Sequence, residues 1–126
     1  MVRFLILFLL ISFPALAQDN ETLSDLTGIP IMEGLAEVED ARLYFDKPEG
    51  RIIHLEFESE RPADQVLIFY GETLSQLGWE LEGGNDASGE TIQTYIRDEE
   101  QLVLSVSKTV PLTVTLEVGP GGGKAD

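Results

Sequence analysis

Only one stretch of this chain carries a helical period, and that limits how many sheet faces can be covered. From Pro62 onward, Val66, Phe69, Tyr70, Thr73, Leu74 and Leu77 recur at spacings of three and four, which lines them along one stripe of an α-helix. Pro62 suits the first helical position. Gly78 follows the last periodic residue and can take the left-handed conformation that ends a helix, with Trp79 placed to fold back on the last turn. Gly71, inside the run, costs about 1 kcal/mol relative to Ala. Either another element approaches closely there or the cost is simply tolerated.

The other patterned segments alternate with period two. "ARLYF" (41–45) and "RIIHLEFE" (51–58) flank "DKPEG", whose Pro48 and Gly50 supply turn chemistry. In the second run Ile53, Leu55 and Phe57 share one face, while Ile52, His54, Glu56 and Glu58 share the other. After the helix come "WELE" (79–82), "ETIQTYIR" (90–97), "QLVLSVS" (101–107) and "PLTVTLEV" (111–118), separated by "GGNDASG", "DEE" and "KTV". Turns this short make neighbouring strands antiparallel. The order is ββαββββ. The expected fold is therefore α+β, a single antiparallel sheet of about five to six strands with one amphipathic helix on one face. The other face is left to solvent or to a partner.

Residues 1–17, "MVRFLILFLLISFPALA", place one basic residue before an apolar run and end in small-x-small, the layout of a secretory signal peptide cleaved after Ala17. The run is shorter than the roughly 20 residues a spanning helix needs. The chain is expected to be periplasmic or secreted, with no membrane insertion after cleavage. Residues 18–36 read as an irregular segment that docks Ile29, Ile31, Met32 and Leu35 on the domain, 37–118 as the α+β domain, and 119–126 as a flexible tail. With no Cys, the domain must rest on its hydrophobic core alone. A formal charge of −15, from 23 acidic and 8 basic residues, disfavours nucleic acid and anionic lipid surfaces as partners.

Chemistry is sparse. His54 is the only His, and no Ser sits in a Gly-x-Ser-x-Gly turn, so the parts of a nucleophilic site are missing and no catalytic residue is assigned. Glu56, Glu58 and Glu60 project at about 6.5–7 Å intervals along a strand, yet paired glycosidase carboxyls must flank a sugar in a deep cleft. Three acids in a row read instead as a solvated edge that resists pairing. In "GGNDASGE", Asn85, Asp86, Ser88 and Glu90 offer oxygen ligands to Ca²⁺ without the spacing of a twelve-residue calcium loop, and turn chemistry explains them. Gly121, Gly122 and Gly123 follow a strand but precede no helix, so no phosphate cradle is expected. No metal or cofactor is assigned. The remaining candidate is a surface: Ile52, His54, Tyr95, Arg97 and Val103 are expected together on the uncovered sheet face, a mixture of aromatic, Arg and aliphatic side chains suited to an interface.

"FDKPEGRI" followed by "VLIFYGETLSQLGW" resembles small exported bacterial envelope proteins that carry a V-x-x-F-Y-x-x-x-L-x-x-x-G-W helix after a strand hairpin. The matching residues here are Val66, Phe69, Tyr70, Leu74, Gly78 and Trp79, within a likeness spanning about residues 30–118. Some similar proteins are lipoproteins, whereas this chain has no Cys to acylate. The resemblance implies a fold and a compartment and transfers no site. The expected role is a non-enzymatic binding or assembly module of the envelope with a protein partner; the competing class is a Ca-binding or acid-based hydrolytic protein.

Overall fold

The computed structural model describes residues 27–121; the expected signal peptide and most of the expected tail lie outside them. The chain runs through β1 (Leu35–Glu37), a 3-10 turn (Glu39–Ala41), β2 (Leu43–Lys47), β3 (Gly50–Ser59), the helix α1 (Ala63–Gln76), β4 (Glu80–Ala87), β5 (Glu90–Arg97), β6 (Glu100–Ser107) and β7 (Leu112–Pro120). All strands join one sheet ordered β1-β3-β7-β6-β5-β4, with β2 also paired to β3. Every pairing is antiparallel. Among the described residues the architecture is α+β as expected, with one main helix on a single antiparallel sheet, but that sheet has seven strands rather than five or six.

The extra strand and the altered lengths have local causes. Leu35–Glu37 pairs with Phe57–Ser59, on the edge of β3 that β2 occupies further along, so two short strands share one long neighbour. Three residues with an adjacent Gly give no period to detect. β4 runs on through Gly83, Gly84, Asn85 and Asp86, which propensity alone assigns to a loop. Pairing to β5 holds them extended around a bulge at Glu82. The turn itself shrinks to Ser88-Gly89, both at positive φ as a type I′ hairpin requires.

β3 is the centre of the design. It pairs with β7 from Ile53↔Val118 to Ser59↔Leu112, while β1 and β2 divide its other edge. Glu56 and Glu58 therefore stand on an interior strand, and the reading of their run as an edge guard is incorrect. Glu60 lies beyond the strand's end.

Helix α1 covers one face. Val66, Tyr70 and Leu74 are fully buried against Ile53, Leu55 and Phe57 of β3, alternate residues of β6 and β7, and Tyr95 of β5. Phe69 and Leu77 pack at the margin. Burying one such side chain is worth about 1.5–3 kcal/mol. Pro62 is the N-cap residue, one position earlier than the sequence suggests. At the other end Gly78 sits at φ +91°, the Gly78 N–H bonds to the Ser75 carbonyl (3.1 Å) and the Trp79 N–H to the Leu74 carbonyl (2.9 Å). That pair of bonds is a Schellman stop, and it turns Trp79 under the last helical turn, where the residue is 2% exposed.

The segment before β1 is tied down by Tyr70. Its hydroxyl accepts from the Met32 N–H and donates to the Pro30 carbonyl, both at 3.1 Å, and Ile29 and Met32 join the core around it.

Trp79→Ala should lower unfolding free energy by about 3–5 kcal/mol in chemical denaturation, because the lost ring leaves a hole between helix end and sheet. Gly78→Val should cost about 1–2 kcal/mol through its left-handed φ alone, since a Cβ there meets only ordinary contacts with Arg97. Burial pushes the Tyr70 phenol up to about 12 from a usual 10. Below pH 10 both states are protonated and the full stabilisation is present; between 10 and 12 only the unfolded state releases its proton. Stability should thus fall by on the order of 2–3 kcal/mol across that window. Tyr70→Phe should flatten the Tyr70 part of that slope in denaturation curves taken between pH 9 and 12.

Candidate functional site

The register decides where each singled-out side chain points. Directly paired residues of an antiparallel sheet share a face. His54 pairs with Leu43 and Glu117, and Glu117 with Val103, so Leu43, His54, Glu117 and Val103 form one row across the uncovered face. Phe45 and Ile52 stand in the next row, which continues through Gly119, Gln101 and Ile96.

Tyr95 and Arg97 do not belong to this face. The β5–β6 turn has two residues, Asp98 and Glu99, which pairs Tyr95 with the fully buried Leu102 and Arg97 with Glu100. Tyr95 is 3% exposed beneath the helix. Arg97 lays its guanidinium over the Trp79 ring at 4.4 Å and donates to the Leu77 carbonyl at 3.2 Å, a cation closing the helix C-terminus. The expected five-residue surface thus divides: Ile52, His54 and Val103 stay together, while Tyr95 and Arg97 are packing residues. The physical reason is parity, since counting a two-residue turn instead of "DEE" shifts β5 by one position and moves every side chain to the other face.

Two depressions bear on these residues. The first lies on the open face, has a volume of about 370 Å³, and is walled by Leu43, Ile52, His54, Val103, Glu117 and Pro120. Its floor includes Gly119, where an added Cβ would meet nothing within 4 Å. His54 Nδ1 is 2.9 Å from a Glu117 carboxylate oxygen across the strand pair.

The second depression, about 540 Å³, opens between α1 and the β4–β5 end of the sheet. Gly71 and Ser75 form its helical wall, Glu80, Leu81 and Gln93 its sheet side, and the Trp79 and Tyr95 rings its base. Tyr95 donates to Gln93 Oε1 at 2.8 Å, and burial raises the phenol above its ordinary range. The Trp79 indole N–H is buried with no acceptor among the described residues. Gly71 is not explained by close approach, because nothing lies within 4 Å of the Cβ it lacks. A helix that forgoes about 1 kcal/mol of propensity there keeps this cleft open. The periodic anomaly was visible in the sequence, but the cleft beside it depended on the β4–β5 pairing.

The oxygen-rich segment 83–90 serves the hairpin. Asp86 accepts from Thr91 Oγ1 at 3.0 Å and lies 3.1 Å from Lys108 Nζ, and those two partners hold its carboxyl below the usual range. Among the described residues, no group of three or more His, Asp or Glu side chains is placed to hold a metal ion, and no helix is long and apolar enough to cross a membrane.

The START domain-like family model matches residues 46–122, and the chain belongs to that family. No curated protein and no solved structure matches it.

Proposed function

We propose that this chain is an exported, non-enzymatic binding module of the bacterial envelope, and that it holds a small amphipathic molecule in the cleft between α1 and β4–β5. The observation that carries this reading is Gly71: a helical glycine with free space over its missing Cβ, set in the wall of a cleft based on two aromatic rings. The volume lies within the roughly 300–1,000 Å³ of small-molecule sites. Membership of a START domain-like family supports a ligand-holding rather than a catalytic role, as does the want of a nucleophile beside His54. An apolar or aromatic body would stack on Trp79 and Tyr95, with Gln93 and Ser75 available to a polar end. Glu80 at the mouth favours a neutral or cationic molecule over an anion. The apolar leader and the resemblance to envelope proteins are what support export.

Trp79 is the only Trp and serves as its own reporter. Titration with the neutral apolar fluorophore N-phenyl-1-naphthylamine should quench Trp79 emission by energy transfer to the bound probe. Gly71→Leu should keep the fold, match or exceed the parent melting temperature, and weaken probe binding at least about tenfold. Equal binding by parent and variant would remove the cleft as the site.

A further inference from the structure

The open face of the sheet is amphipathic along its strands, and the first depression marks where its two halves meet. At one end stand Leu43, Phe45, Ile52 and Val103 around the floor at Gly119. Leu43 and Phe45 are each 50% exposed, although both belong to strand residues that ordinarily bury one face. Toward the other end the same strands present Glu56 and Glu58 on β3, with Thr115 and Thr113 opposite them on β7. Glu117, 54% exposed, stands at the junction.

Neither an edge nor an ion pair explains the two carboxylates of β3. Their strand is interior, so they guard no edge. Neither makes an ion pair among the described residues, whose salt bridges lie elsewhere. Two like charges about 6.5–7 Å apart on one face repel each other. Solubility is already served by the net charge of −15.

From this arrangement we infer that the open face docks a cationic amphipathic helix of another protein, with an apolar anchor seated over Gly119 and Lys or Arg side chains against Glu56 and Glu58. The spacing is definite. Ile52, level with Gly119, lies about 17 Å along the strand from the middle of the Glu56 and Glu58 pair, which a helix lying along the strands covers in about eleven residues, three turns. A matching segment therefore carries its large apolar residue about eleven positions from the middle of its basic pair. A second copy of this chain fits poorly, because like faces would bring the same carboxylates together. Anionic membrane surfaces are repelled for the same reason. The surface is separate from the cleft beneath α1, and its occupation requires nothing of the ligand proposed there.

The test uses full-length mature protein and synthetic peptides followed by fluorescence anisotropy. The probe is a helical peptide whose one face carries a Leu anchor at one end and a Lys pair about eleven positions on; a scrambled peptide of identical composition and the same Leu helix with Glu in place of Lys are the comparisons. The Leu/Lys helix should bind at least about tenfold more tightly than the scrambled peptide, and the Leu/Glu helix should not bind. Gly119→Leu fills the floor at a position whose φ accepts any residue, so it should fold normally and reduce binding about tenfold or more. Glu56→Gln with Glu58→Gln should reduce both affinity and its dependence on salt. Gly71→Leu should leave peptide binding unchanged while losing the naphthylamine probe, which separates the two sites. Equal affinity for the scrambled peptide, indifference to Gly119→Leu in a variant shown by circular dichroism to be folded, or concentration-dependent self-association lost in Gly119→Leu would each overturn the inference.

Discussion

One helix has to seal one face of a seven-stranded sheet, and most of the remaining structure follows from how far fourteen residues reach. Val66, Tyr70 and Leu74 seal the sheet beneath α1, while Gly71 and Ser75 leave a cleft between the helix and the β4–β5 end. Trp79 fills the base of that cleft, delivered there by the Gly78 turn, and the Arg97 guanidinium closes over it. At the opposite end the segment from Ile29 to Met32, hydrogen-bonded to Tyr70, extends the cover beyond the helix itself. The apolar layer is thus assembled from three pieces of chain held by two polar contacts. Removing either contact leaves buried donors or acceptors unsatisfied, which costs more than the bond contributes when made.

The helix, its stop and the stripe it buries were legible because all three are local. A 3.6-residue period, a glycine after it and an aromatic at the next position involve neighbours in the chain and need no knowledge of the sheet. The strands with strong alternation were legible on the same ground, and β5 has the bounds its sequence suggests. What escaped was set by partners distant in sequence. Leu35–Glu37 is a strand only because Phe57–Ser59 offers it hydrogen bonds, and Gly83 to Asp86 stay extended only because β5 lies alongside. Tyr95 is the instructive case, since its face was readable from the turn length and was assigned to the wrong side by one residue. Gly71 was noticed as a cost, yet its reason lies in an empty space that no local pattern reports.

The two depressions share a construction. In each, a glycine stands where an added Cβ would meet nothing within 4 Å, and aromatic or aliphatic side chains surround the gap. They differ in what polar groups frame it. The cleft under α1 is framed by the Ser75 and Gln93 side chains, one carboxylate at Glu80 and a buried indole N–H, a setting for one small molecule fixed by few polar contacts. The open face is framed by carboxylates spread over strands, a setting for an extended partner met over many contacts. A broad, partly charged surface gains association rate and orientation from its field, while the apolar anchor supplies most of the affinity.

Such a division also bears on why the sheet does not simply stack on another sheet. A face bearing Leu43, Phe45, Ile52 and Val103 together is an aggregation hazard when its neighbouring edge is open, and β2, with Leu43, Tyr44 and Phe45 all about half exposed, lies at that edge. Two features oppose it. β1 and β2 divide the edge of β3 into two short strands, so an incoming strand meets no long continuous ladder. The carboxylates of Glu56, Glu58 and Glu117 stand on the same face as the apolar patch, so two copies approaching face to face would have to desolvate them without compensation. The same charges that oppose face-to-face self-association favour a basic partner, so a single arrangement of residues acts against one occupant and for another.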